Sequence, residues 1–306
     1  MEYSNKNNQK ENIGAIVVLY NPDIQALNKS LDILAKQVSL LCLVDNSTES
    51  HKEQMNLTAH SVYVPLYKNI GIAAAQNKGL QILQDAGIDY ALFSDQDSLA
   101  ANDTAQKLLW GYKQLAAMGL KVAGTGTRAI HATTGRPYPS KSKEGAPFNL
   151  SDGHMSTQAT ECSYIRSSIS LVPMTRFSEV GGFDEELFID GVDNEWCWRA
   201  HTHGYKSYII ENATIRHNLG EGDRKLLTKD IAISSSFRIY FQYRNYLWLC
   251  RRNYVPLWWK RKHLVKYLVK AFYYPLLVSP RLAFVKGIAK GIFDGIFHSQ
   301  QKKYNI

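Results

Sequence analysis

The sequence predicts an α/β protein, a doubly wound and mostly parallel sheet followed by a C-terminal helical appendage. Three observations carry that prediction. Apolar β-rich runs alternate with runs of helical period along the first half of the chain, and the connections between them are short. Several of the apolar runs stop abruptly at a polar residue, as at Tyr20, Asp45 and Asp95. The charge is also divided: residues 237–306 hold 14 Lys and Arg against one Asp, whereas residues 1–236 hold 22 against 26 Asp and Glu.

The elements follow in order. MEYSNKNNQKEN, residues 1–12, is polar and lacks the apolar stretch of a signal peptide, so it reads as a flexible tail on a cytoplasmic protein. IGAIVVLY, 13–20, is a buried strand closed by Asn21-Pro22. Ile24, Leu27, Leu31 and Leu34 recur at helical steps, with Asp23 in the first turn. SLLCLVDNS, 39–47, is a second strand and VYVPLY a short third. NIGIAAAQNKGLQILQDAG opens a helix on a glycine, and YALFSD is the next strand. Residues 13–236 are expected to form the main body and 237–306 a basic, aromatic helical segment. The four cysteines, Cys42, Cys162, Cys197 and Cys250, include no CxxC pair, which argues against a zinc knuckle or a disulfide framework.

In an open parallel sheet, ligands bind beyond the carboxyl ends of the strands. There Asp45-Asn46 and Asp95-Gln96-Asp97 gather acidic and amide groups along one edge. A lone Asp after a strand is often only a turn residue or a cap, and that reading stays open for Asp45. The pair Asp95 and Asp97 says more, because two carboxylates at that spacing repel unless a cation or donors compensate. Oxygen ligands suit Mg²⁺ or Mn²⁺, which bridge nucleotide phosphates. The densest stretch is GGFDEELFIDGVDNEWCWRAHTHGY, 181–205, with a Gly181-Gly182 turn and a helix from about Asp190 to Gly204. Asp193 falls in its first turn, where the helix dipole favours the anion and leaves it available as a base. Asp190 and Glu195 stay in play beside it.

VVLYNP, VDNS, NIGIAAAQNKG, DQDS, GGFDEELFIDGVDNEWCWR and a later IRH together resemble the inverting glycosyltransferases of family 2 with the A-type fold, most of all the bacterial dTDP-rhamnosyltransferases of O-antigen and other surface polysaccharides. The likeness spans about residues 12–220. It implies that Tyr20 and Asp45 hold the nucleoside, Asp45 by accepting the base N3–H, and that Asn69 and Asn77 belong to the loop and helix below the nucleotide. It implies that Asp95 and Asp97 are the metal-binding pair, that Asp193 is the base, and that His217 reaches the metal or the diphosphate. Relatives often carry Glu-Asp where this chain has Val192-Asp193. The activity implied is transfer of L-rhamnose from dTDP-rhamnose to a lipid-linked saccharide. A UDP-sugar donor, or a non-catalytic nucleotide- or membrane-binding module, is the alternative.

The chemistry is coherent apart from the resemblance. Displacing a nucleoside diphosphate from an anomeric carbon needs a deprotonated hydroxyl on one face and charge neutralisation on the other. A glycoside hydrolase would use two carboxylates but would leave the strand-end edge unexplained. The basic tail suits an anionic bilayer surface at the inner face of the cell membrane, with Lys262, Lys266 and Lys270 as one stripe and Trp258 and Trp259 at headgroup depth. No run approaches the roughly 18 apolar residues of a spanning helix. Packing on a second subunit is the other expectation for the tail; nucleic acid is not expected, because no recognition motif accompanies it.

Overall fold

The computed structural model describes residues 12–131, 136, 145–217, 224–226, 229–231 and 234–298. The expected N-terminal tail up to residue 11 and the Gly-rich stretch after His217 lie outside the described residues. The chain begins with β1 (Ile13–Leu19), α1 (Ile24–Leu34), β2 (Leu40–Asp45), β3 (Ser61–Pro65), α2 (Ile72–Asp85) and β4 (Tyr90–Asp95). It continues through β5 (Leu99–Ala100), α3 (Thr104–Ala117), β6 (Val122–His131), β7 (Phe148–Ser151), β8 (Ser156–Cys162), β9 (Ser170–Pro173), α4 (Met174–Val180), α5 (Val192–Thr202) and β10 (Lys206–His217). After the short pair β11 (Arg224–Leu226) and β12 (Lys229–Ile231) come three helices, α6 (Ser236–Arg251), α7 (Leu257–Leu277) and α8 (Arg281–Phe297).

One sheet of ten strands has the order β3-β2-β1-β4-β9-β6-β10-β8-β7, with β5 alongside β10. β1 pairs in parallel with β2 and β4, β2 with β3, and β6 with β10, while β9 runs antiparallel between β4 and β6. Thus β3, β2, β1, β4, β6 and β10 all point one way and their carboxyl ends form one edge. The core lies on both faces. Along β1, Ala15, Val17 and Leu19 face a cluster with Leu27, Leu31 and Leu108, while Ile16 faces a second with Ala73, Leu83 and Phe93. This period-two division explains why the strands read as continuous apolar runs: each is buried on both sides.

Helix ends agree with local chemistry. Asp23 is the N-cap of α1, accepting from Ala26 N–H at 3.1 Å, one step outside the first turn expected for it. The three C-terminal helices share a small core of Ile239, Tyr243, Tyr274, Val278, Phe284 and Ile288. Here α8 meets α6 at backbone distance: a Cβ on Gly287 would lie 2.8 Å from Ser236 O, and one on Gly291 2.5 Å from Tyr240 O. Larger residues at this four-residue spacing would push the two helices apart.

Candidate active site

The site grows from the strand ends. At the end of β1, Tyr20 N–H donates to Gln96 Oε1 at 2.8 Å, and Gln96 Nε2 returns a bond to Tyr20 O at 3.3 Å. The residue between the two aspartates therefore ties β4 to β1, and Tyr20 is left about half exposed at that strand end. At the end of β2, Asp45 is buried, its Oδ2 accepting from Tyr63 OH at 2.6 Å and lying 2.9 Å from His51 Nδ1, its Oδ1 accepting from Ser47 N–H at 3.1 Å. Burial pushes this carboxyl up, but the bonds from Tyr63, Ser47 and His51 outweigh it, so Asp45 is held below the ordinary value and stays anionic. Asn46 Nδ2 donates to Asn69 Oδ1 at 2.9 Å, which fastens the Asn69 loop to the same strand end.

Asn77 is oriented differently. Its Nδ2 donates to Phe183 O at 2.9 Å and to Glu185 Oε1 at 2.8 Å, and its Oδ1 accepts from Phe183 N–H at 2.9 Å. The resemblance implied that Asn77 belongs to the helix below the nucleotide; its hydrogen bonds fasten that helix, α2, to the segment leading into the acidic motif.

Asp95, Asp97 and Asp193 come together from segments almost a hundred residues apart. Burial, then the charges of Asp193 and Asp97, raise the Asp95 carboxyl to about 7, while Arg166 and Arg238 pull it back. Three carboxylates gathered with two guanidiniums leave an excess of negative charge that a divalent cation would relieve. Among the described residues, no three His, Cys, Asp or Glu side chains form a self-sufficient metal cage. A Mg²⁺-type site held by one or two carboxylates plus substrate phosphates needs no such cage, and the all-oxygen pair Asp95 and Asp97 fits that mode. The antiparallel register Ile215 with Ala100 and Arg216 with Leu99 runs the end of β10 back toward Asp97. His217 closes that strand, though its side chain lies outside what is described.

The acidic motif separates into three fates. Gly191, at φ +93°, turns the chain into α5, a conformation that strains a side-chain-bearing residue. Asp193 follows in the first turn, and Ser167 donates to its Oδ2 twice, from N–H at 3.2 Å and from Oγ at 3.3 Å. Burial raises the Asp193 carboxyl, and the Ser167 amide, the Arg166 charge and the Ser167 hydroxyl offset this only in part. Glu195 is fully buried, accepting from Arg199 Nε at 2.9 Å and Tyr254 OH at 2.6 Å with Arg252 Nη1 at 3.0 Å. Asp190 accepts two bonds from Arg238, at 2.8 and 2.7 Å.

Sequence reasoning missed Arg166 and Ser167, for which no local pattern signals a role, and, having expected a helical segment from residue 237, it missed that α6 contributes to the site. Arg238, Gln242 and Asn245 stand at i, i+4 and i+7 of an otherwise aromatic helix, and that polar stripe was a usable signal. Asn245 Nδ2 lies 2.8 Å from Leu187 O, 2.7 Å from Ile189 O and 3.0 Å from Asp190 O. Phe188 stacks on Phe241 with ring centroids 4.6 Å apart, and its carbonyl accepts from Ile72 N–H at 2.7 Å. The C-terminal segment thus builds the loop that leads into the acidic motif.

No protein-family profile matches the chain. It is 31% identical over 288 residues to the dTDP-rhamnosyl transferase RfbF of Shigella flexneri, covering 93% of this chain and 95% of that one. Among solved structures, GalNAc-T7 with UDP, GalNAc and Mn²⁺ superposes with a TM-score of 0.55 at 15% identity over 93% of this chain, which spans 55% of that protein's length. S. aureus TarS 1–349 in complex with UDP-GlcNAc gives 0.54 at 15% identity, over 93% of this chain and 81% of that one. The structural likenesses show the shared fold, and the sequence relative shows the kinship: the chain belongs to the glycosyltransferases of the A-type fold, in the family of the dTDP-rhamnosyl transferases.

Proposed function

We propose that the protein is a metal-dependent, inverting rhamnosyltransferase that moves L-rhamnose from dTDP-rhamnose to a lipid-linked saccharide during O-antigen or related surface polysaccharide synthesis. The observation that carries this reading is the convergence of Asp95, Asp97 and Asp193 at the strand-end edge, one of them in a helix's first turn with a single serine on one oxygen. Tyr20, Asp45 and Asn69 receive the nucleoside, with Asp45 Oδ1 accepting the base N3–H. Asn77 acts at a distance by fixing the segment before the acidic motif. Asp95 and Asp97, with His217, would hold the Mg²⁺ or Mn²⁺ whose charge offsets that of the leaving diphosphate.

Because both Ser167 bonds fall on Oδ2, Asp193 Oδ1 is the oxygen that takes the acceptor hydroxyl's proton. The acceptor oxygen then bonds to the anomeric carbon from the face opposite the diphosphate. The carbon–oxygen bond to phosphate breaks, its electron pair leaves on the diphosphate, and the configuration inverts. Residues 13–236 supply most of this unit, but α6 belongs with it through Arg238 and Asn245. The enzyme works as a peripheral protein at the cytoplasmic face of an anionic membrane.

The test is nucleoside diphosphate release across a panel of dTDP- and UDP-sugars, with and without EDTA. dTDP-rhamnose is expected to turn over fastest and EDTA to stop it, and Asp97→Asn should abolish the metal-dependent part of donor binding. A faster UDP-sugar would replace the donor, since uracil presents the same N3–H. No release from any sugar would favour a binding module.

A further inference from the structure

The three C-terminal helices leave a surface that the catalytic reading does not use. On the inner side of α7, Trp259 and Tyr274 are buried, Trp259 against Trp198 with ring centroids 5.0 Å apart. On its outer side, Val265, Leu268, Val269, Phe272 and Leu276 follow one another at helical steps with half or more of their surface exposed. On α8, Leu282, Val285, Phe293, Ile296 and Phe297 are exposed by between 44% and 75%. Isolated exposed apolar residues are ordinary, but two helices that each present a continuous stripe form a surface built to be covered.

Charge identifies the cover. Arg261, Lys262, Lys266, Arg281, Lys286 and Lys290 are exposed on the same two helices. The one acid from residue 237 onward, Asp294, is half-buried, accepting from Tyr240 OH at 2.7 Å. A second copy laid on this surface would set cations against cations. Among the described residues no helix is long and apolar enough to cross a membrane, so the surface fits a helix pair lying in an interface.

We propose that the outer faces of α7 and α8 embed in the headgroup layer of an anionic phospholipid leaflet, held by inserted apolar side chains and assisted by the flanking cations. This deepens the membrane reading above by naming the face, and it corrects the lysine stripe. Lys270 turns inward, donating to Gln242 Oε1 at 2.7 Å, and burial lowers it to about 8. Trp259 is likewise interior. Packing against α6 chose which side of α7 faces in, and helical period alone could not. Gln242 in turn donates to Asp190 at 3.3 Å. Between the leaflet and Asp190 there therefore stand only α7 itself and the Gln242 side chain of α6.

Flotation of the full-length protein with vesicles decides the matter. Wild type should float with phosphatidylcholine–phosphatidylglycerol vesicles and remain partly bound in high salt. Leu268→Ser with Phe272→Ser should weaken partitioning at least about tenfold at every salt concentration, because apolar area is removed. Lys262→Gln with Lys266→Gln should weaken it at low salt only, converging on wild type as salt rises. Val285→Ser with Phe293→Ser tests the same face from α8 if the α7 variant does not fold. Nucleotide-sugar turnover with a soluble acceptor, expected to be unchanged in all of these, reports the catalytic reading separately. The proposal is overturned if wild type never floats, if the serine variants float like wild type, or if ultracentrifugation shows a lipid-independent dimer that those variants dissociate.

Discussion

Asp193 and Glu195 stand two residues apart in the first turn of α5, and the protein surrounds them in opposite ways. Glu195 is wholly buried with Arg199, Arg252 and Tyr254 on its carboxylate. Asp193 has Ser167 on one oxygen and belongs to a cluster with Asp95 and Asp97. A buried acid matched by cations is part of the scaffold, since removing it strands the guanidiniums. Burial first of all raises the Asp193 carboxyl, as it does that of its neighbour Asp95, where the charges of Asp193 and Asp97 add to it; an acid held so is in an unfavourable state that a proton or a cation relieves, which is the condition a base or a metal ligand requires. Asp190, bound by Arg238 from α6, belongs with the scaffold.

The largest expected effect separates the two acids directly. Glu195→Gln should destabilise the protein by about 3–5 kcal/mol, read as a lower urea midpoint. Asp193→Asn should leave that midpoint unchanged or raised, keep donor binding, and lower transfer roughly 10²–10⁴-fold. If Glu195→Gln folds like wild type and is dead while Asp193→Asn transfers sugar, the comparison is inverted.

A smaller effect concerns Asp95, raised to about 7 by burial and by Asp193 and Asp97. An acid raised in the folded state lowers stability while ionised, and the penalty fades as pH falls from about 7 toward the unfolded value near 4. In EDTA, this group should make the thermal midpoint rise between about pH 8 and pH 6. Asp95→Asn should flatten that slope and add about 1–2 kcal/mol at pH 8, allowing for solvent screening at a partly exposed site. Calorimetry at the two pH values checks it, and an unchanged slope would mean that the carboxylates do not interact as described.

The smallest effect sharpens the role of Ser167. Losing one hydrogen bond to a charged group should lower kcat about tenfold in Ser167→Ala without changing the KM for donor. If Asp193 is the base it must be ionised, so activity should be lost as pH falls through its raised value. The serine hydroxyl lowers that value, so its removal should move the acid limb of the profile to higher pH. Ser167→Thr should restore it. Altered kcat with an unmoved limb would assign Ser167 to packing alone.

What the residues determined by themselves was local. Two-sided burial of a parallel strand writes itself as an unbroken apolar run, so β1, β2 and β4 were legible with their ends at Tyr20, Asp45 and Asp95. Gly71 and Gly204, both at positive φ, were legible as helix boundaries for the same local reason. The charge division of the chain was also plain, because it needs only counting. Tertiary structure decided the partners. Ser167 reaches Asp193 across 26 residues, Arg238 reaches Asp190 across 48, and Tyr254 reaches Glu195 across 59. It also decided that Lys270 and Trp259 face inward and that α8 can lie against α6 only where glycines remove the side chains. The physical reason is common to all of these: the proton affinity of an acid and the inner side of a helix depend on distances in space, and chain separation does not encode them.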